Sequence, residues 1–282
     1  MSDSLPIRLR LALGAAAELD AEEAATGGRR IFLARGRHDD PSVRPTRRVI
    51  LHPAPPDGPT EEALHRRADQ LLVLTHPTIA APIATGRFED RAWVVDPIPP
   101  GVSLAMRIVD RGTLSLREAT AVLREVARAL TALHRRDLAH GALSAATVMI
   151  DRRGTVLAGF GLTADGTAAD DLLALGALAW EMLVGTPPAG RGVLALRIHR
   201  PSAPSEMESL VAGLLGQPGA PRFAKAEEVL AVLDGFPPLA PDAIADFLDG
   251  VGAGSQVGRR RGPGATRWLG TFGVFLGRLR GR

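Results

Sequence analysis

Cysteine is absent from the 282 residues, which excludes disulfides and any cysteine-ligated zinc site. Long apolar runs are absent too: no stretch approaches the ~20 residues a membrane-crossing helix needs. The amino terminus is polar and passes directly into an amphipathic stretch, without the profile of a secretory leader. Together these absences lead to the expectation of a cytoplasmic protein. Lysine is almost missing, since 34 basic residues include only Lys225. Arginine does not replace lysine where a compact ammonium must meet phosphates in a fixed pocket. Chemistry that needs a lysine in the first two hundred residues is therefore excluded. Acids stop before Gly258; the seven arginines beyond it give the tail +7, and the preceding 257 residues carry −4.

What is present supports a sizeable core. Hydrophobic residues make up 45% of the chain, and the length suits one large domain or two small ones. Strand candidates with alternating or apolar patterns are 7–13, 30–35, 48–52, 83–88 and 92–96. A helical stretch over 60–75 ends in Leu74-Thr75-His76-Pro77, where proline stops it. From Ser103 the period becomes helical. Residues 116–133 place Ala119, Val122, Leu123, Val126, Leu130 and Leu133 on one face. Further helices are predicted over 207–215, 224–233 and 242–248. Pro/Gly-rich composition over 239–264 reads as linker around the last of these.

Residues 133–151 read Leu-His-Arg-Arg-Asp-Leu-Ala-His-Gly-Ala-Leu-Ser-Ala-Ala-Thr-Val-Met-Ile-Asp, followed shortly by Ala-Gly-Phe-Gly-Leu at 158–162. This resembles the catalytic and metal-binding loops of protein kinases, H-R-D-L-x-x-x-N and D-F-G. His140, Leu143 and Phe160 stand where the family's residues stand, with Gly161 completing the second motif. A further match runs from Asp171 to Pro188, similar to the family's central helix D-x-x-S-L-G-x-x-x-x-E-L-L-T-G-x-P-P. Gln217-Pro-Gly-Ala-Pro-Arg222 is similar to its closing P-x-x-R turn. The resemblance covers about 7–236. It implies an α+β, two-lobed kinase-like fold, with a small β-rich lobe over about 7–100 and a larger helical lobe over about 101–238.

The same resemblance implies which working groups are missing. A kinase holds nucleotide phosphates, chelates metal and orients a substrate hydroxyl. The catalytic aspartate position is Ala142, the metal-binding asparagine is Thr147, and the D-F-G aspartate is Gly159; Ser144 is a further degenerate position of this loop. Val49-Ile50-Leu51-His52 occupies the place of V-A-I-K, so His52 replaces the lysine and Ile50 the small residue beside adenine. Its ion-pair partner is Arg67 rather than glutamate. The glycine-rich loop is reduced to Gly27 and Gly28, with Arg29 in place of the third glycine. Glu18, Asp20, Glu22 and Glu23 precede it and are expected to repel a triphosphate. Asp151 and Asp137 read as exposed turn residues, His134-Arg-Arg-Asp137 as a decoy of the motif, and Asp165 as the remaining candidate for a relocated ligand. Only nine residues separate Gly161 from Asp171, with Thr163 and Thr167 in a polar turn. The family's activation segment, with its A-P-E, is therefore missing, and Arg222 lacks its expected acidic partner.

Residues that hold such a fold together are kept: His140, Phe160, Gly161, Asp171, Gly176, Leu71 and Arg222. Asp171 is expected to brace the loop backbone, and Leu71 to stack with Phe160 and His140. The expectation is a pseudokinase with no cofactor and no metal site, acting as a scaffold or allosteric partner of another protein, such as an active kinase or a membrane assembly. The alternative is a divergent ATP-using transferase; its mark would be a carboxylate pair facing the cleft, and the sequence presents none. A third reading is a lipid-surface adaptor. In the tail, 265–282, Arg267, Trp268, Phe272, Phe275, Leu276 and Leu279 combine an apolar helical face with basic ends. Anionic membrane at its inner face, a protein groove and no partner all remain open for this segment. No base-reading module accompanies the charge, so nucleic acid is not expected.

Overall fold

The computed structural model describes residues 4–26, 29–40, 42, 45–54, 60–151, 153–160, 166–189 and 195–239. The chain divides into two units, Met1–Pro99 with Ala158–Asp165, and Pro100–Leu157 with Gly166–Arg282. The predicted helix at 242–248, the linker and the basic tail lie outside the described residues.

The first unit begins with a helix where 7–13 reads as a strand: α1 spans Ser4–Leu13. Apolar residues alternating with arginine fit a period of two, but the leucines that bury are Leu9 and Leu13, four residues apart and on one helical face. Leu11, which a strand would turn inward with Leu9, is 80% exposed. Arg10 fixes the helix by donating from Nη2 to the Leu19 carbonyl at 2.9 Å. Gly14, at φ +55°, ends it, and its N–H reaches the Arg10 carbonyl at 3.2 Å.

Five antiparallel strands with one helix follow: β1 (Glu18–Thr26), β2 (Arg29–Arg35), β3 (Arg47–Leu51), α2 (Glu61–Leu72), β4 (Ala84–Phe88) and β5 (Arg91–Pro97). Their order across the sheet is β1-β2-β3-β5-β4. β1 was hidden in the sequence by its acids. It bulges twice against β2, and its exposed carboxylates pair across the ladder, Asp20 with Arg35 at 2.9 Å and Glu22 with Arg30 at 2.6 Å. These pairs neutralise two of the four acids that the sequence sets against a triphosphate. Leu9 and Leu13 pack into a core with Phe32, Val49, Leu51, Phe88, Trp93 and Val95. Gly86 faces Trp93 across β4 and β5, and a Cβ there would come within 2.5 Å of the indole. Thr60 caps α2 by accepting from Ala63 N at 3.2 Å. Leu64, Ala68 and Leu71 form its buried face, and the helix packs on β4 and β5.

The second unit holds β6 (Val102–Ser103), α3 (Leu104–Arg111), α4 (Leu116–His134), β7 (Val148–Asp151), β8 (Gly154–Leu157), α5 (Ala168–Val184), α6 (Leu196–His199), α7 (Ser205–Leu214) and α8 (Ala226–Asp234). The three strands pair antiparallel in the order β6-β7-β8. Ser115 and Glu118 form a capping box at the start of α4, which packs on α5, α8 and β8. Arg124 ties α4 to the end of α8: Nη2 donates to the carbonyls of Leu233 at 2.6 Å and Phe236 at 3.1 Å, and Nε to Asp234 at 3.1 Å. α5 is buried almost all round from Leu172 to Leu183, the pattern of a central helix rather than a surface one. Gly176 lets α7 approach it, since a Cβ there would lie 2.7 Å from the Leu214 Cβ. A sheet-rich first part and a helical second part make a mixed α+β chain compatible with a kinase-like fold. Among the described residues no helix is long and apolar enough to cross a membrane.

Candidate functional site

The loop between α4 and β7 is held from outside by one carboxylate. Asp171 lies four residues into α5, whose start is fixed by the Thr167–Asp170 capping box, so Thr167 is a helix cap rather than a free turn residue. The Asp171 side chain is almost fully buried. Oδ2 accepts the His140 N–H at 2.7 Å and Oδ1 the Gly141 N–H at 2.9 Å. His134, at the end of α4, places Nε2 3.0 Å from the same Oδ2. Three partners and the positive end of α5 offset the cost of burying this charge. The loop then closes on itself: Ala142 N donates to His140 Nδ1 at 3.3 Å. Gly141, at φ +74°, takes a left-handed conformation, and Gly166 passes so close that a Cβ would stand 2.9 Å from the Gly141 Cα.

The positions read as degenerate, and the nearby acids, make local contacts. Ala142 has no proton-accepting side chain. The Thr147 hydroxyl accepts from Ser144 N at 2.9 Å and lies 3.1 Å from the carbonyls of both Ala142 and Ser144, with Ser144 Oγ at 3.4 Å. Its lone pairs and proton serve its own turn. Asp151 ends β7 and accepts from Arg153 N at 2.7 Å, and Asp137 is an exposed turn residue at φ +55°.

In the first unit, His52 follows β3 with its side chain buried. Its N–H reaches the Ala92 carbonyl at 2.9 Å, and its own carbonyl accepts from Arg91 Nε at 2.8 Å. Ile50 sits between Ile31 and Val94 in register. Arg67 is half-buried on α2, while Leu71 and Phe160 are buried. Gly159 stands at φ +66°, a backbone position suited to glycine. Arg29 pairs in register with Thr26. Gly27, Gly28, Gly161, Thr163, Asp165 and the tail residues lie outside the described residues.

Two groups carry more weight than their sequence context signals. His134 reads as part of a decoy motif, yet it bonds the carboxylate that braces the loop. Asp96, on β5 opposite Arg48, is buried with no hydrogen bond at either carboxylate oxygen among the described residues. Burial pushes its pKa up to about 7 against the opposing charge of Arg48. Burial likewise pushes Glu181 on α5 up to about 7. Arg222 is exposed and makes no ion pair with a described residue.

None of Ala142, Thr147, Gly159 and His52 carries a carboxylate. Gly159 has no side chain, the Thr147 hydroxyl is engaged within its turn, and the His52 side chain is buried. A divalent magnesium takes hard oxygen ligands, and among the described residues no group of three or more histidine, aspartate or glutamate side chains is placed to hold a metal.

No protein-family model matches the chain. A stretch of 172 residues is 26% identical to the "Probable serine/threonine-protein kinase pknA2" of Bifidobacterium longum (strain NCC 2705), taking in 49% of this chain and 23% of that protein. The chain thus spans under a quarter of that relative's length. Its relationship to serine/threonine kinases is partial and distant.

Proposed function

We propose that this chain is a pseudokinase: a kinase-like binding module that does not transfer phosphate and acts on another protein as a scaffold or allosteric partner. The observation that carries the reading is the Asp171 clamp. Its bonds of 2.7 and 2.9 Å to the His140 and Gly141 amides hold a loop in which Ala142 can accept no proton. A phosphoacceptor hydroxyl needs a positioned base, and the transferred phosphoryl needs cations around it. Neither is supplied by Ala142, Thr147, Gly159 or His52. The kinase relative supports the common ancestry of the scaffold, and the altered positions separate its use here from that relative's name.

Thermal unfolding of the purified chain with millimolar ATP, with and without magnesium, tests the reading together with a phosphotransfer assay. A ligand that binds only the folded state raises stability by about 2.7 kcal/mol at a hundredfold excess over Kd. The expected result is no magnesium-dependent shift and no transfer to a generic protein substrate. A magnesium-dependent shift accompanied by transfer would return the divergent transferase to first place.

A further inference from the structure

We infer that the outer edge of β4 is the interface of a symmetric dimer, in which a second copy of the chain continues the first unit's sheet by antiparallel β4–β4 pairing about Gly86. β4 is the last strand of the sheet, beside β5, and its register from Ala84–Val95 to Phe88–Arg91 runs without a shift. The His52 N–H reaches the Ala92 carbonyl at 2.9 Å, which fixes the direction of the β5 backbone groups. Ala92 and Val94 turn to β3, and Arg91, Trp93 and Val95 turn to β4. Ala84, Gly86 and Phe88 pair with those three, so Thr85 and Arg87 present their N–H and C=O groups outward. Among the described residues no backbone group or side chain closes that edge.

The edge is complementary to itself. Pairing centred on Gly86 sets Thr85 against the second copy's Arg87, and Arg87 against its Thr85, so every outward N–H and carbonyl of the two residues finds a partner. Like charges directly opposite one another destabilise a ladder, and here each arginine faces a hydroxyl. Glycine meets glycine at the axis, and Ala84 meets Phe88, so no two large side chains collide. The flanks are apolar. Among the described residues of the first unit the exposed large apolar side chains are Leu11, Leu72, Val73 and Ile83, and all of them adjoin β4. Ile83 immediately precedes the strand. His65 Nδ1 lies 2.7 Å from Thr85 Oγ1, and Arg87 Nε lies 3.6 Å from Glu61 Oε2, so one stripe of α2 follows β4. Leu72 lies two turns past His65 on that stripe, with Val73 beside it. Leu11 is one turn from Arg8, whose guanidinium sits 5.8 Å from the Phe88 ring centre.

Sedimentation equilibrium of the full chain, from about 2 to about 200 µM in about 0.5 M salt, tests this. The expected result is a concentration-dependent monomer–dimer equilibrium that persists when 258–282 are removed. Arg87→Pro takes away an outward N–H only, a change that an edge strand tolerates. It should keep the wild-type circular dichroism and weaken the dimer by at least about tenfold. Leu72→Glu, at an exposed position, should weaken it by at least about threefold, and it decides the matter if the proline disturbs the fold. The amides of Thr85 and Arg87 should exchange hydrogen more slowly at the higher concentration, while that of Gly86, bonded to β5, does not change. A chain that stays monomeric throughout overturns the proposal and leaves the edge to a foreign strand. A dimer that vanishes with the tail overturns it too, as does one kept by a folded Arg87→Pro chain or undiminished by Leu72→Glu.

Discussion

His134 Nε2 lies 3.0 Å from Asp171 Oδ2, joining the last turn of α4 to the carboxylate that also holds the His140 loop. Removing that carboxylate leaves a buried amide, a half-buried amide and an imidazole without their acceptor. Asp171→Ala is expected to destabilise the chain by about 3–5 kcal/mol in urea unfolding, and His134→Ala by about 1–2 kcal/mol. A double-mutant cycle should give a coupling above ~0.5 kcal/mol; additive losses would mean that the histidine contributes only packing.

Stability should fall as pH rises from about 4 to beyond 7. Asp96 and Glu181 have folded pKa values pushed to about 7 by burial, above the ordinary carboxyl range they take when unfolded. The stability that goes with their protonated forms is complete below pH 4 and is lost as pH climbs through 7. Asp96→Asn keeps the shape and removes one titration. It is expected to flatten the decline and stabilise the fold at neutral pH by an amount on the order of 1–4 kcal/mol. An unchanged pH profile would show that Asp96 ionises normally in the folded chain.

Gly176→Ala places a methyl 2.7 Å from the Leu214 Cβ. Helix propensity favours alanine by about 1 kcal/mol, whereas overpacking costs about 1–3 kcal/mol. Contact should win, lowering the unfolding midpoint. A gain in stability would mean that α7 moves away freely.

The basic tail is tested by deleting 258–282 and following sedimentation with vesicles rich in anionic lipid. The full chain should sediment at low salt, and the shortened chain should stay in solution, since each arginine near such a surface contributes about 1 kcal/mol. Equal sedimentation of the two removes any role of the tail at lipid.

Much of the sheet and most helices were legible because burial enforces their period. Val49 and Leu51 alternate inward on β3, and α4 and α5 carry apolar patterns too long for strands. The segment of α1 reads as a strand because 7–13 satisfies both periods locally, and only the position of the core decides that Leu9 and Leu13 face it together. β1 was missed because its acids look like loop, and their compensation by Arg30 and Arg35 comes from the next strand. At the site, the residues at Ala142, Thr147 and Gly159 are plain in the sequence, and only the kinase resemblance implies that they replace working groups. The bond from His134 to Asp171 is not, because thirty-seven positions separate residues that only the α4–α5 packing brings together.

β1 lies at the border of the first unit's sheet, and a border strand offers unsatisfied amides and carbonyls to any neighbouring chain. Two bulges and a row of acids there make a poor template for another strand. Replacing Asp20 and Glu22 with valine would therefore show itself less in unfolding than in colloidal behaviour. The strand would become a flatter, greasier rim on which copies of the chain could stack into insoluble ribbons.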